Sequence, residues 1–159
     1  MISEKINNTH DFMSKLFIDT FFDNFLTAEA SIKTYNTFTI DGHLNKYFYS
    51  EEEFCDLSEK KFSQWKDLRP ICFNIIKGTK PPVKFKIIFA LDKQIIRQII
   101  SDNKIDFISD NVNELYLNIS YENGQVTITT GCSLKVFTLD KSLEKSYDSY
   151  ILNLLSDFC

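Results

Sequence analysis

Apolar positions recur along this chain with two different periods, and the switches between them mark out its elements. Phe12, Met13, Leu16, Phe17 and Phe21 form one stripe at helical spacing. Thr9 supplies a cap and Asp11 a first-turn acid, so a helix is predicted near the N-terminus. From Leu26 the period shortens to two: Leu26, Ala28, Ala30 and Ile32 alternate with Thr27, Glu29, Ser31 and Lys33. Residues 37–40 continue as strand after Tyr35-Asn36. Asp41-Gly42 reads as a turn before residues 43–49, which predicts a meander of two or three strands.

Residues 50–56, with three consecutive glutamates, read as a solvated turn or a short helix. Phe62, Trp65 and Leu68 follow at helical spacing. Pro70 suits the first position of a new helix that carries Cys72, Phe73 and Ile76 and stops at Gly78. Beyond the loop at 78–82, Val83, Phe85, Ile87 and Phe89 share one strand face. Asp92 caps a short helix through Ile95, Ile96, Ile99 and Ile100, and residues 102–113 form a polar connector.

The clearest local signal is the hairpin at Asn123-Gly124. It pairs Tyr121 with Val126, Ile119 with Ile128, Leu117 with Thr130 and Leu115 with Cys132 on a greasy face. Ser120 and Thr127, and Asn118 and Thr129, pair on a polar face. Gly131 is expected at a bulge, with the strand resuming through Leu134 and Val136. Asp140 then caps a terminal helix whose stripe is Leu143, Tyr147, Tyr150, Ile151, Leu154 and Phe158. Hairpins dominate and no βαβ rhythm appears. The expected fold is therefore α+β: residues 1–159 as one globular domain, its antiparallel sheet packed by N-terminal, central and C-terminal helices.

Four stretches carry a resemblance. They are Thr37-Phe38-Thr39-Ile40-Asp41-Gly42-His43-Leu44-Asn45-Lys46, Trp65-Lys66-Asp67-Leu68-Arg69-Pro70, Phe73-Asn74-Ile75-Ile76-Lys77-Gly78 and Phe137-Thr138-Leu139-Asp140-Lys141-Ser142-Leu143-Glu144. Together they resemble a family of small uncharacterised bacterial proteins known only as a domain of unknown function. The resemblance covers most of the chain and implies no activity, cofactor or site residue.

Composition narrows the function classes. The chain has 15 Phe among 159 residues and only four Gly and three Pro, which argues for a filled core and leaves no flexible linker. The N-terminus opens charged, without a signal-like apolar segment, and no run approaches the length of a membrane span. Cys55, Cys72, Cys132 and Cys159 are scattered, without zinc-knuckle or redox-pair spacing. The expectation is a soluble cytoplasmic protein that takes no metal and no cofactor. No Walker loop, dinucleotide fingerprint or nucleophile elbow occurs.

Charge is segregated along the chain. Residues 60–104 hold eleven Lys/Arg against three Asp/Glu, whereas the whole chain carries −4. Lys77, Lys80, Lys84 and Lys86 flank the loop at 78–82, with Lys66, Arg69 and Trp65 just upstream. They suggest an anion-binding surface for nucleic acid phosphates or a phosphorylated ligand, with Trp65 or a tyrosine as a stacking partner. The competing reading has the acidic flanks fold back and neutralise it, and the overall acidity disfavours a dedicated nucleic-acid binder. Asp41-Gly42-His43 places a carboxylate beside an imidazole, a candidate for a general base or for one edge of a metal site, although Asp-Gly is first of all hairpin chemistry. Cys132, on the apolar side of the hairpin, reads as buried and inert, and residues 51–53 as a solvated charge run. The polar hairpin face (Tyr116, Asn118, Ser120, Thr127, Thr129) suits a protein partner or an oligomer contact if no helix covers it.

The leading expectation is a non-enzymatic binding or interaction module. It would use Lys77, Lys80, Lys84, Lys86, Arg69 and Trp65 toward a protein partner or a phosphate-bearing ligand. The alternatives are a small enzyme using Asp41, His43 and a central lysine, and an oligomeric structural protein.

Overall fold

The computed structural model describes residues 1–57 and 60–159. Its elements, in chain order, are β1 (Ser3–Lys5), α1 (Thr9–Phe17), β2 (Leu26–Lys33), β3 (Thr37–Asp41), α2 (Glu51–Asp56), β4 (Ser63–Gln64), α3 (Trp65–Ile76), β5 (Lys84–Ala90), α4 (Lys93–Asp102), a 3₁₀ turn (Ser109–Asn111), β6 (Val112–Glu122), β7 (Gln125–Leu134) and α5 (Ser142–Leu154). All strand pairings are antiparallel. Six strands run β1-β7-β6-β5-β2-β3 across one sheet, and β4 pairs with β2 off that path. The result is the expected mixed α+β architecture. Among the described residues no helix is long and apolar enough to cross a membrane.

The core lies between one sheet face and the helices. Phe85, Ile87 and Phe89 of β5, Leu115, Leu117 and Ile119 of β6, and Val126 and Ile128 of β7 all point into it. There they meet Phe12 and Leu16 of α1, Trp65 of α3, Ile96 of α4 and Ile151 of α5. Alternation of period two sends every second residue of these strands to this side. An aromatic cluster fills the centre, with Phe89 at 5.2 Å from Trp65 and 5.7 Å from Phe22, ring centre to ring centre.

The hairpin at Asn123-Gly124 forms in the expected register, from Glu122↔Gln125 through Leu115↔Cys132. Asn123 at φ 51° and Gly124 at φ 77° supply the two positive dihedrals that a type I′ turn demands. Ser50 and Glu53 close a reciprocal capping box on α2, and Asp92 caps α4 by accepting from Gln94 N.

Other boundaries differ from expectation for tertiary reasons. α1 is capped by Asn8, not Thr9, and ends at Phe17, so Phe21 lies beyond it. Trp65 to Ile76 is one helix with Pro70 inside, not a helix that begins at Pro70. Its unsatisfied first-turn donors find loop carbonyls: Trp65 N donates to Phe25 O and Lys66 N to Asp23 O. Pro70 therefore costs one later intrahelical bond and does not stop the helix.

Gly42 is not a hairpin turn either. Beyond it the chain makes only an isolated bridge, His43↔Phe62, so residues 43–49 supply no third meander strand. The bulge expected at Gly131 lies across the ladder in β6, between Val112 and Glu114, while Gly131 pairs regularly with Tyr116. β7 ends at Leu134, short of Val136. Asp140 bonds Ser142 N and Oγ but lies one residue before the N-cap, Lys141. A second bulge, between Thr27 and Glu29 on β2, inverts Leu26. Leu26 packs instead with Phe62 and Ala90 in a small apolar cluster separate from the core.

Candidate interaction surface

Among the described residues, the helices leave the second face of the sheet uncovered over most of its width. Cross-strand partners place Thr39, Ser31, Lys86, Ser120, Thr127 and Lys5 in one row across all six strands. Asp41, Glu29, Ile88, Asn118, Thr129 and Ser3 form the adjacent row. Thr37, Lys33, Lys84 and Glu122 form the next row on the other side. Each of these residues is exposed or half-buried. The surface is thus rich in hydroxyls, with one amide (Asn118) and with lysines and carboxylates interspersed. A groove of about 540 Å³ runs across it, lined by Lys33, Lys84 and Lys86 together with Glu29, Glu122 and Ser120.

The six residues singled out from the basic segment fall in three places. Lys84 and Lys86 stand on the uncovered face beside Lys33, a lysine that lies outside that segment in sequence. Lys77 and Lys80 belong to the loop after α3 and line a separate groove of about 470 Å³ with Tyr35, Ile76 and Val83. Trp65 is fully buried, and its indole N–H donates to Leu16 O at 2.7 Å, so its ring offers no stacking surface. Arg69 forms a two-pronged pair with Asp23, Nε to Oδ1 at 2.8 Å and Nη2 to Oδ2 at 3.1 Å. The Asp23 hydrogen bond raises the guanidinium pKa further. Arg69 also donates to Ile18 O, so it ties the 18–23 loop to α3.

Asp41 and His43 are hydrogen bonded, Oδ1 to Nδ1 at 2.6 Å, and both are exposed. The backbone and ring donors of His43 hold the Asp41 carboxyl below its usual range. The imidazole lies edge-on to Phe62 at 4.8 Å. Neither residue lines the grooves on the sheet face or beside the loop after α3. Among those residues no three His, Cys, Asp or Glu gather in a metal-holding cluster. Cys132 is half-buried, with its thiol pushed up to about 11, chiefly by burial. Cys72 is fully buried and is pushed up to about 12. Neither has thiolate character at neutral pH. Residues 51–53 form the exposed first turn of α2.

Sequence reasoning missed two buried carboxyl groups, Asp23, which pairs with Arg69, and Glu114. Glu114 is 4% exposed on the sheet face opposite the core, next to the β6 bulge. Burial raises its carboxyl pKa, while the charges of Lys93, Lys61 and Lys135 pull the other way. Lys93 also donates to Val112 O and Asn113 O, clamping the bulge to the start of α4. Alternation puts Glu114 on the polar side with Tyr116 and Asn118, but no periodicity signals its burial, and distant segments bring the lysines.

No curated protein and no solved structure matches the chain. A family model does match, over residues 15–158, and its description is a family of unknown function (DUF5721). That span takes in every element from the end of α1 through α5, and the chain belongs to this family.

Proposed function

We propose that this domain is a non-enzymatic binding module that engages a protein partner through the uncovered sheet face. The observation behind this reading is the polar row Thr39, Ser31, Lys86, Ser120, Thr127 and Lys5, which crosses six strands without a covering helix. A face of this kind offers hydroxyl and amide hydrogen bonds, and charges of both signs that fix orientation. Base stacking needs exposed aromatic rings; the three rows hold none, and the aromatic residues that line the groove, Phe85 and Tyr121, are buried and half-buried. The overall charge of −4 also works against phosphate-driven affinity for a nucleic acid.

A second reading is favoured by one observation, the three lysines of the 540 Å³ groove. It takes a phosphate-bearing small molecule there, although Glu29 and Glu122 share the groove and offset the charge. The Asp41–His43 pair, the basis of an enzymatic reading, lines none of the grooves described above.

The test is affinity capture from cell extract with wild type and with a Ser120→Arg/Thr127→Arg variant, each confirmed folded by circular dichroism. The reading expects a partner retained by the wild type and lost by the variant. Equal retention, or none at all, counts against it. A salt-sensitive response to inorganic phosphate or a nucleotide, abolished by Lys84→Glu/Lys86→Glu, moves the assignment to the phosphate ligand.

A further inference from the structure

The outer edge of β3 is shaped for strand pairing. Thr34 N donates to Asn36 O and Gly42 N donates to Ala28 O, bracketing the registered pairs Ile32↔Phe38 and Ala30↔Ile40. The even-numbered residues of β3 therefore turn their backbone groups toward β2. Antiparallel alternation then points the N–H and C=O of Thr37, Thr39 and Asp41 away from the sheet. Among the described residues β3 ends the strand order, and no strand pairs with that side. Natural edges are commonly guarded by lysine, proline or a bulge. Residues 37–41 contain no Lys or Pro, and their register with β2 runs without a shift.

We propose that this edge is a homodimerisation site, at which two copies of the chain pair β3 with β3 antiparallel about a two-fold axis at Thr39. The occupant follows from self-complementarity. This register sets Thr39 opposite its own copy, Thr37 opposite Asp41, and Phe38 opposite Ile40, so hydroxyls meet a carboxylate and apolar residues meet each other. The outward backbone groups match as well, giving about six hydrogen bonds, two in each of three pairs.

Charge selects the same register. The row that ends at Thr37 carries Lys33 and Lys84, and the row that ends at Asp41 carries Glu29. The two-fold at Thr39 abuts the basic row of one copy with the acidic row of the other. A two-fold at Thr37 abuts lysine rows, and one at Asp41 abuts carboxylates, both repulsive. Just beyond the strand, exposed Tyr35 comes opposite His43. A contact this short falls below the standard interface of about 1,600 Å², so the dimer is reversible, with a dissociation constant of roughly micromolar order or weaker. The inference does not rest on the sheet-face partner, because Ser120 and Thr127 lie on strands remote from this edge.

Sedimentation of the full chain over roughly micromolar to several hundred micromolar concentrations tests it. Wild type should pass from monomer to dimer. Thr39→Pro removes an outward N–H and fixes φ at an edge position without touching a bond to β2, and should weaken association at least about tenfold while leaving the fold intact. Thr37→Lys places a cation opposite Asp41 and should tighten the dimer, whereas Thr37→Glu should loosen it. These two exposed-site variants decide the matter even if the proline variant misfolds. A wild type that stays monomeric throughout, a folded Thr39→Pro variant that dimerises like wild type, or equal effects of Thr37→Lys and Thr37→Glu would each overturn the proposal.

Discussion

Replacing Gly42 with alanine puts a methyl group where the backbone of β2 already is. A Cβ built there lies 1.6 Å from Thr27 O and 2.7 Å from Thr27 C. Ordinary contact begins at 3.4 Å, so the strands would have to separate by roughly another 1.8 Å or more. Gly42 is held on both sides, its N–H donating to Ala28 O at 2.9 Å and its carbonyl accepting from Ser63 N at 2.8 Å. Separation on that scale breaks both bonds, at about 1 kcal/mol each. It also lifts Phe62, which is 2% exposed against Leu26 and Ala90, and a fraction of the cost of Phe truncation, about 1–2 kcal/mol, follows. The sum is about 3–4 kcal/mol, which for a chain of this size lowers the melting temperature by roughly 6–16 °C.

Circular dichroism melts and urea titration of Gly42→Ala beside Gly131→Ala measure this. At Gly131 the added Cβ meets only Tyr116 Cβ at 3.7 Å, an ordinary contact, so that variant should stay within about 1 kcal/mol of wild type. A Gly42→Ala loss below about 1 kcal/mol, or one equal to that of Gly131→Ala, would refute the reasoning.

Two further outcomes follow from the ionisable groups. Burial raises the folded-state pKa of Glu114 above its ordinary value of 4.5, so between those two values the folded state binds more protons than the unfolded one. The contribution of this group to stability therefore falls as pH rises through that window, and acidification from neutrality restores it. Glu114→Gln should melt higher than wild type at neutral pH, with the gap closing toward pH 4.5, in a melting series against pH; a variant that melts lower at neutral pH would contradict the sign. Alkylation by iodoacetamide near neutral pH, followed by peptide mass mapping, should label exposed Cys55 and Cys159 well before Cys132, and Cys72 only on unfolding.

Elements whose stability rests on near neighbours were legible from residue order. The hairpin register around Asn123-Gly124 follows from a two-residue turn with alternating faces, and the cap at Asp92 is a local hydrogen bond. The α+β class follows from the two periods. The candidate surface was legible in half: the polar residues of the β6–β7 hairpin and the strand face of Lys84 and Lys86 could be read, and their union could not. Joining them takes the pairing of β5 with β6, across the whole of α4 and its connector.

What residue order could not decide depends on partners distant along the chain. β1 is three exposed residues with no periodic signal, and it is a strand only because β7 offers an unpaired edge. Trp65 and Arg69 looked like ligand groups because aromatic and cationic side chains bind anions. The fold instead put Leu16 O against the indole and Asp23 against the guanidinium. Gly42 carried a turn signature, but its smallness serves a close approach to Thr27. Period and propensity act over a few residues and settle what each segment is. Only packing settles which side chains are left facing water, and here those are the polar face of the sheet and the edge of β3.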